Sequence, residues 1–317
     1  MNLQQLEYIV AVDRLKHFGR AAESCFVTQP TLSAMINKLE LELDVIIFDR
    51  SSYPVATTEC GKDIIEEARR VLYQVEMLKD KAAVVKNQFR GELKIGVIPT
   101  VAPYLLPLVL FDFTEKYPEI RLTVKELQTE NLLQLLRNEE LDAGIAATPL
   151  HEKDLSERRL YLEELKVFVS SKENKITRKY LHPTELDHKR IWMLEEGHCL
   201  RDQLINLCHL EKNELHPGNL NFQAGSLDTV MNMVEVKQGI TLLPELLVHN
   251  LDSKRVKQVR SFTDPVPVRE ISLLTYRPKA KYRLLEILIK EIKARVNPLL
   301  AIKHEVKEED VKIVQIH

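Results

Sequence analysis

The sequence lacks any apolar run long enough to cross a bilayer. Its most hydrophobic stretch, residues 101–113, is broken by Pro103 and Pro107 and falls short of the ~20 residues a spanning helix needs. It lacks a cationic segment ahead of an apolar one at residues 1–7, so no secretory leader is expected, and the expected location is the cytoplasm. It lacks charge of one sign. Lys and Arg number 45 against 47 Asp and Glu, a formal −2, so the overall electrostatics announce no polyanionic partner, and a nucleic-acid function has to be argued from a motif. Cysteine is scarce: four residues (Cys25, Cys60, Cys199, Cys208) in a chain of 317 are not a secretory disulfide framework. The His and Cys residues lack the paired short spacings of a zinc site, and no glycine-rich loop opens a helix. Neither a metal nor another cofactor is therefore expected. What is present, 44% hydrophobic and 29% charged residues, is the composition of a globular protein, and at about 150 residues per domain the length allows two domains.

The first 58 residues read as a complete small unit. An apolar face at Leu3, Leu6, Ile9 and Val10 is followed by two helical stretches, 18–25 and 28–43, and by a wing of two strands at 45–50 and 55–57. Residues 59–90 form a linker. Its apolar positions Ile64, Ala68, Val71, Val75, Leu78, Ala82 and Val85 alternate gaps of four and three, which predicts a helix that pairs with a second copy of itself; a lone amphipathic surface helix is the alternative. From residue 91 short β-runs alternate with helices, the pattern of a parallel sheet covered by helices. Strands are expected at 93–98, 121–124, 143–146, 165–169, 191–193, 240–243 and 271–275, with helices at 104–116, 132–138, 227–236 and 283–296. Two α/β subdomains with a cleft between them are the economical reading. The tail, 301–317, is expected to be loosely held.

Between residues 18 and 33 a helix rich in small residues ends, turns and is followed by a second. Thr28 is a good N-cap, Pro30 suits the first turn, and Leu32, Ile36 and Leu39 face inward. Outward lie Gln29, Thr31, Ser33, Ala34, Asn37 and Lys38, short polar groups and a methyl suited to base edges and phosphates in a major groove. An ordinary helical hairpin would show the same pattern. Residues 1–58 carry five basic side chains (Arg14, Lys16, Arg20, Lys38, Arg50) against seven acidic ones, so one such unit would hold phosphates poorly, and several on one assembly would be needed.

The stretch Gly197-His198-Cys199-Leu200-Arg201-Asp202-Gln203 sets a cysteine between an imidazole and a guanidinium at the start of a helix. Each feature favours a thiolate, and together they would bring the thiol from about 8.5 into the range of roughly 3.5 to 7.5 found for reactive cysteines. Cys208 lies nine residues on. In one helix the two Cα atoms would stand ~13.5 Å apart with the thiols on opposite sides, whereas a disulfide tolerates no more than about 7 Å. The pair can bond only if the segment unwinds. The alternative is two unrelated packed thiols, the reading also adopted for Cys25 and Cys60.

The order of these features resembles the LysR-type transcriptional regulators over nearly the whole chain. The resemblance is carried by Phe18, Arg20-Ala21-Ala22, Gln29-Pro30-Thr31-Leu32-Ser33, Lys38-Leu39-Glu40, Phe48-Asp49-Arg50, and Thr58 with Gly61. It implies an N-terminal winged helix-turn-helix (1–58), a dimerising linker helix (59–90) and a two-subdomain α/β regulatory domain of periplasmic-binding-protein-like architecture (91–300). Subdomain I would comprise 91–162 and 269–300, and subdomain II 163–268. It also implies a homodimer or homotetramer on double-stranded promoter DNA, DNA contacts from Arg20, Thr28, Gln29, Pro30, Thr31, Ser33, Ala34, Asn37, Lys38 and Arg50, and, for an activator, contact with RNA polymerase. The Gly197–Gln203 motif with Cys208 is similar to the peroxide-sensing branch of that family, as are Ile98-Pro99-Thr100, Gln128-Thr129, 239–244 and 276–278. That similarity implies that Cys199 reacts with hydrogen peroxide and Cys208 resolves the product to a disulfide. Thr100, Thr129, His198, Arg201, Asp202 and Arg269 would support the chemistry. Two departures stand out: the segment between Cys208 and Phe222 is slightly longer than usual, and the helix-turn-helix is less basic. Two other functions compete, a thiol peroxidase using the same cysteines and a LysR-type regulator that binds a small organic effector in the cleft.

Overall fold

The structure, a computed structural model, describes residues 1–85, 89–172, 176, 178–186, 191–208, 224–276, 281–302 and 311–316, the side chains at 73, 76, 77 and 79–85 excepted. Two compact units are present, one built on residues 1–85 and the other on residues from 89 onward. The expectation of a long segment between Cys208 and Phe222 falls outside the described residues.

The first unit comprises helices α1 (Leu3–Leu15), α2 (Phe18–Ser24) and α3 (Gln29–Leu43), the short strands β1 (Phe48–Asp49) and β2 (Ala56–Thr57), and the long helix α4 (Glu59–Val85). Local chemistry starts each helix. Asn2 and Gln5 bond reciprocally at α1, His17 Nδ1 accepts the first N–H groups of α2, and Thr28 accepts the N–H of Thr31 at α3. Ile9, Val12, Ala21, Leu32, Ile36, Leu39 and Ile47 are fully buried together, so the inward face expected of α3 is the observed one. The wing is shorter than expected because Val45 and Ile47, ahead of β1, give their N–H groups to the backbone carbonyl and the carboxylate of Glu40 instead of a partner strand.

The apolar stripe of α4 divides. Ile65 and Ala68 are buried and Ile64 packs against the same core, while Val71 and Leu78 stay exposed. The first part of the expected dimer seam is thus used by the chain's own core, and among the described seam residues Val71 and Leu78 are the ones left exposed to a partner. Asp13 ties α1, the wing and α4 together, accepting from Lys16 (2.7 Å), Thr57 (2.7 Å) and Arg69 (2.9 Å). Burial pushes its carboxyl up, but these three donors outweigh it and hold the group below its ordinary value.

The second unit opens with β3 (Gly91–Val97), α5 (Ala102–Lys116), β4 (Ile120–Glu126), α6 (Thr129–Arg137) and β5 (Ala143–Thr148), and the three strands lie parallel in the order β4-β3-β5. There follow β6 (Leu155–Val169), β7 (Tyr180–Leu181), a 3-10 turn (Pro183–Glu185), α7 (Cys199–Cys208), α8 (Leu227–Lys237), β8 (Ile240–Pro244), α9 (Glu245–Val248), α10 (Ser253–Val256), β9 (Val259–Phe262), β10 (Val266–Tyr276), α11 (Tyr282–Val296) and β11 (Val311–Ile313).

The sheet is mixed, where the alternation predicts a parallel one. β10 runs antiparallel to both β5 and β6, and β6 antiparallel to β8 and β9. The reason is the path of the chain: β6 pairs with β10 over its first ten residues and with β8 over its last five, so it leaves one sheet for another. A strand that brings the chain back must run the opposite way. Residues 191–193, expected as a strand, make only one isolated bridge, Ile191 to Ile240, with a second at the neighbouring Leu194 to Ala224. The tail departs further from expectation. β11 adds in parallel to Val266, Pro267 and Val268 of β10, and Val314 is buried.

One close approach in the first unit is testable. Gly61 N–H donates to Thr58 Oγ1, and a Cβ at Gly61 would stand 2.3 Å from the carbonyl oxygen of Ile47. Gly61→Ala is expected to destabilise this unit by about 1–3 kcal/mol. Thermal unfolding of the full chain, followed by circular dichroism, checks it; an unchanged melting curve would contradict the close contact.

Candidate redox site and nucleic-acid interface

α7 begins at Cys199 because Gly197, at φ +91°, takes a left-handed backbone that turns the chain into the helix, with Gln128 packed where a Cβ would lie. The expectation of one helix from Cys199 to Cys208 holds, and both thiols are free and buried. Thr129, the first residue of α6, places its hydroxyl 3.0 Å from Cys199 Sγ.

Beneath the helix start lies an ion pair shut away from water. Arg269 of β10 donates through Nε to Glu163 Oε1 of β6 at 2.7 Å, and through its two terminal nitrogens to the hydroxyl (3.2 Å) and carbonyl (3.0 Å) of Thr100. Arg269, Glu163 and Thr100 are each no more than 2% exposed. The second oxygen of Glu163 accepts the N–H of Leu246 at the start of α9. The guanidinium is therefore fixed, and its charge favours the Cys199 thiolate.

The expected electrostatics of the thiol need correction. Burial pushes the Cys199 thiol above its ordinary value, the negative charge of Asp202 adds to this, and the Thr129 hydroxyl and Arg269 oppose it without prevailing. Arg201, expected beside the thiolate, turns the other way: it donates to the carbonyl of Leu194 at 3.0 Å and approaches Glu196 at 3.8 Å. His198 is buried, and burial lowers its pKa, which favours the neutral imidazole. Neither of its ring nitrogens has a hydrogen-bond partner among the described residues, the carboxylate of Glu195 lying 3.9 Å away. Burial also pushes the Cys208 thiol up to about 12.

The structure thus brings Thr100, Thr129, His198, Arg269 and Cys199 into one region and turns Arg201 out of it. Glu163 is the residue that sequence reasoning missed. Little in the sequence signals it: β6 carries six charged residues and Glu163 stands next to Glu164, so nothing in the local pattern marks which of them is buried and paired. Cys25 is half-buried and Cys60 exposed, so the expectation that both are packed thiols does not hold for Cys60, which lies on the outer side of the first turn of α4. Among the described residues no group of three or more His, Cys, Asp or Glu could hold a metal ion, and no helix is long and apolar enough to cross a membrane.

In the first unit, Arg20, Thr28, Gln29, Pro30, Thr31, Ala34, Asn37 and Lys38 are exposed and Ser33 half-buried, so α3 presents the face expected of it. Arg50 is also exposed but not free. It donates to Ser33 Oγ at 3.1 Å and to Glu40 Oε2 at 2.9 Å, and stacks over the ring of Phe18, which pins the wing to α3.

Comparison with known proteins agrees with this architecture. Residues 3–62 match the lysR family of bacterial regulatory helix-turn-helix proteins, and residues 86–297 match the LysR substrate binding domain. The chain belongs to the LysR family of transcriptional regulators. Within the family it is similar to the hydrogen peroxide-inducible genes activator of Haemophilus influenzae, with 39% identity covering 89% of this chain and 93% of that protein. It is 37% identical to the DNA-binding transcriptional dual regulator OxyR of Escherichia coli, covering 94% and 96% of the two chains. A full-length cysteine-to-aspartate variant of OxyR from Pseudomonas aeruginosa superposes with a TM-score of 0.67 at 34% identity, covering 92% of this chain and 98% of that one.

The corrected electrostatics have a measurable consequence. Because the Cys199 thiol lies above its ordinary value, the thiolate appears only as pH rises, and alkylation of Cys199 by a small reagent is expected to quicken about tenfold per pH unit between pH 7 and 8. Arg269→Gln should move the profile to still higher pH, since the charge that favours the thiolate is gone. A rate already level at pH 7 would show that the thiol is ionised there.

Proposed function

We propose that this chain is a peroxide-sensing transcriptional activator of the OxyR kind, in which Cys199 is the peroxide-reactive thiol and Cys208 its resolving partner. The single observation that carries the reading is the placement of Cys199 at the start of α7, bonded to Thr129 and facing the charge of a fixed, buried Arg269, with the second thiol nine residues further along the same helix. In the first step the Cys199 thiolate attacks one peroxide oxygen, the O–O bond breaks, and the departing hydroxide takes a proton to leave as water. In the second, Cys208 attacks the sulfenic acid sulfur and expels hydroxide, which leaves as water with the Cys208 proton. Two thiols and one peroxide give one disulfide and two waters.

The surroundings supply what this chemistry asks for. The neutral, unbonded imidazole of His198 and the hydroxyls of Thr100 and Thr129 offer hydrogen bonds to a small polar guest, and Arg269 steadies the thiolate. Arg201 and Asp202 act at the helix start and not on the peroxide. Nine helical steps leave the two Cα atoms ~13.5 Å apart with the thiols on opposite faces. Unwinding α7 removes that separation and takes Cys208 out of the burial that keeps it protonated, so one movement supplies both the approach and the nucleophile.

The readout is DNA. The exposed face of α3, with Arg20 and Arg50 at its margins, enters the major groove of promoter DNA, and the exposed Val71 and Leu78 of α4 pair with a second chain. The near-neutral first unit makes a dimer or tetramer necessary. Refolding of α7, lying in subdomain II (163–268) against subdomain I (91–162 and 269–300), changes how protomers meet, and with that the spacing of the DNA-binding units and the contact with RNA polymerase in the cytoplasm. A scavenging peroxidase would need neither the helix-turn-helix nor the free stripe on α4.

Peroxide treatment of purified variants tests this. Cys199→Ser is expected to abolish peroxide consumption and any change in the promoter footprint. Cys208→Ser should still consume one equivalent and stop at the sulfenic acid or pass to over-oxidised forms, read as mass increments of the intact chain. A disulfide that forms while the footprint stays unchanged would sink the switch. At the interface, Gln29→Ala or Ser33→Ala is expected to cost about 1–3 kcal/mol of discrimination between operator and random DNA, whereas Lys38→Ala should weaken both equally and lower the salt slope by about one. Identical behaviour of all three would overturn the assigned contacts.

A further inference from the structure

The end of the chain lies on the redox helix. β11 pairs with the first residues of β10, Val314 N–H donates to the carbonyl of Val268 at 2.9 Å, and Val314 is buried. The two carbonyls that follow are taken by side chains of α7. Gln203 Nε2 donates to Val314 O at 3.3 Å and Asn206 Nδ2 to Gln315 O at 2.9 Å, while the Gln315 side chain meets His151 at 3.3 Å. Gln203 is fully buried, its amide oxygen is unbonded, and the tail carbonyl is the partner its nitrogen has.

These donors sit at decisive places. At about 100° per residue, Gln203 lies about 40° and Asn206 about 20° from Cys199 around the helix axis, while Cys208 lies about 180° away. The tail therefore binds the stripe of α7 that runs from Cys199, in the segment that must unwind before Cys208 can reach it. Val268, where the tail is anchored, precedes Arg269, whose charge acts on the Cys199 thiol.

We propose that residues 311–316 form a strap that holds α7 in its reduced form, and that Gln203 and Asn206 are positioning residues which set the rate of disulfide closure without touching the reaction at Cys199. The proposal rests on the reading of Cys199 and Cys208 as a resolving pair. Closing the disulfide breaks both side-chain bonds to the strap, and the closed form leaves the Val314 and Gln315 carbonyls to other partners. Reduction rebuilds them, so the strap also draws the helix back.

The strap separates the two chemical steps, and rapid-quench kinetics of the full chain measures each. Removal of residues 311–317 is expected to speed disulfide closure roughly tenfold, since two neutral hydrogen bonds no longer oppose it, and to leave the rate of sulfenic acid formation, measured in the Cys208→Ser background, within twofold of the parent. Asn206→Ala, which removes one bond from a half-exposed position, should speed closure by a few-fold and guards against a truncated chain that fails to fold. In the unaltered chain, the amides of 312–314 should lose exchange protection on oxidation. The strap is overturned if Asn206→Ala closes at the parent rate with the 312–314 amides equally protected in both states, or if sulfenic acid formation changes as much as closure. A full chain that forms no Cys199–Cys208 bond on peroxide treatment overturns the redox reading itself, and is recognised before any variant is made.

Discussion

An arginine and a glutamate with no access to water hold the regulatory half of this protein together. Arg269 and Glu163 belong to β10 and β6, the strands whose pairing carries the chain between its sheets, and through Thr100 and Leu246 they also fasten the end of β3 and the start of α9. Taking both charges out of water is unfavourable, and the arrangement is tolerable because nearly every donor and acceptor finds a partner. Loss of either partner would leave a lone buried charge, worth about 3–5 kcal/mol. The pair therefore fixes one packing of four elements, and a fixed guanidinium below α7 is a product of that packing.

The proposed redox site inherits a compromise from this arrangement. Burial raises the pKa of the Cys199 thiol and favours its protonated form, and the compensating influences come from outside its own helix: the Thr129 hydroxyl and the charge of Arg269. A thiol of this kind reacts where the surroundings supply hydrogen bonds to the leaving oxygen, so specificity lies in the site more than in the sulfur. Cys208 is silenced in two ways at once, by distance along a helix and by burial. In the proposed switch both end together when the helix opens, which makes the conformational change a condition of the second step.

The DNA-binding unit is built with similar economy. Glu40 caps the wing's backbone with one carboxylate oxygen and holds Arg50 with the other, so the cation best placed beside α3 is partly neutralised by the group that positions it. In the proposed reading, weak binding per unit goes with an α4 that leaves Val71 and Leu78 exposed, because affinity can then come from the number of units held together.

Much of this was legible in the residues. The helix-turn-helix, the inward face of α3, the linker helix and the single helix joining the two cysteines follow from caps and periodicity, which act within a few residues along the chain. The sequence also marked Cys199 as unusual, but it misjudged why: proximity along the chain put Arg201 beside the thiol, whereas the backbone carbonyl of Leu194 draws that guanidinium away. The direction of the thiol's pKa, the pairing of Glu163 with Arg269, the antiparallel return of β10 and the docking of the tail on α7 were decided only by tertiary structure. Each depends on how much water is excluded or on which of two distant segments meet, and no local pattern of residues encodes either quantity.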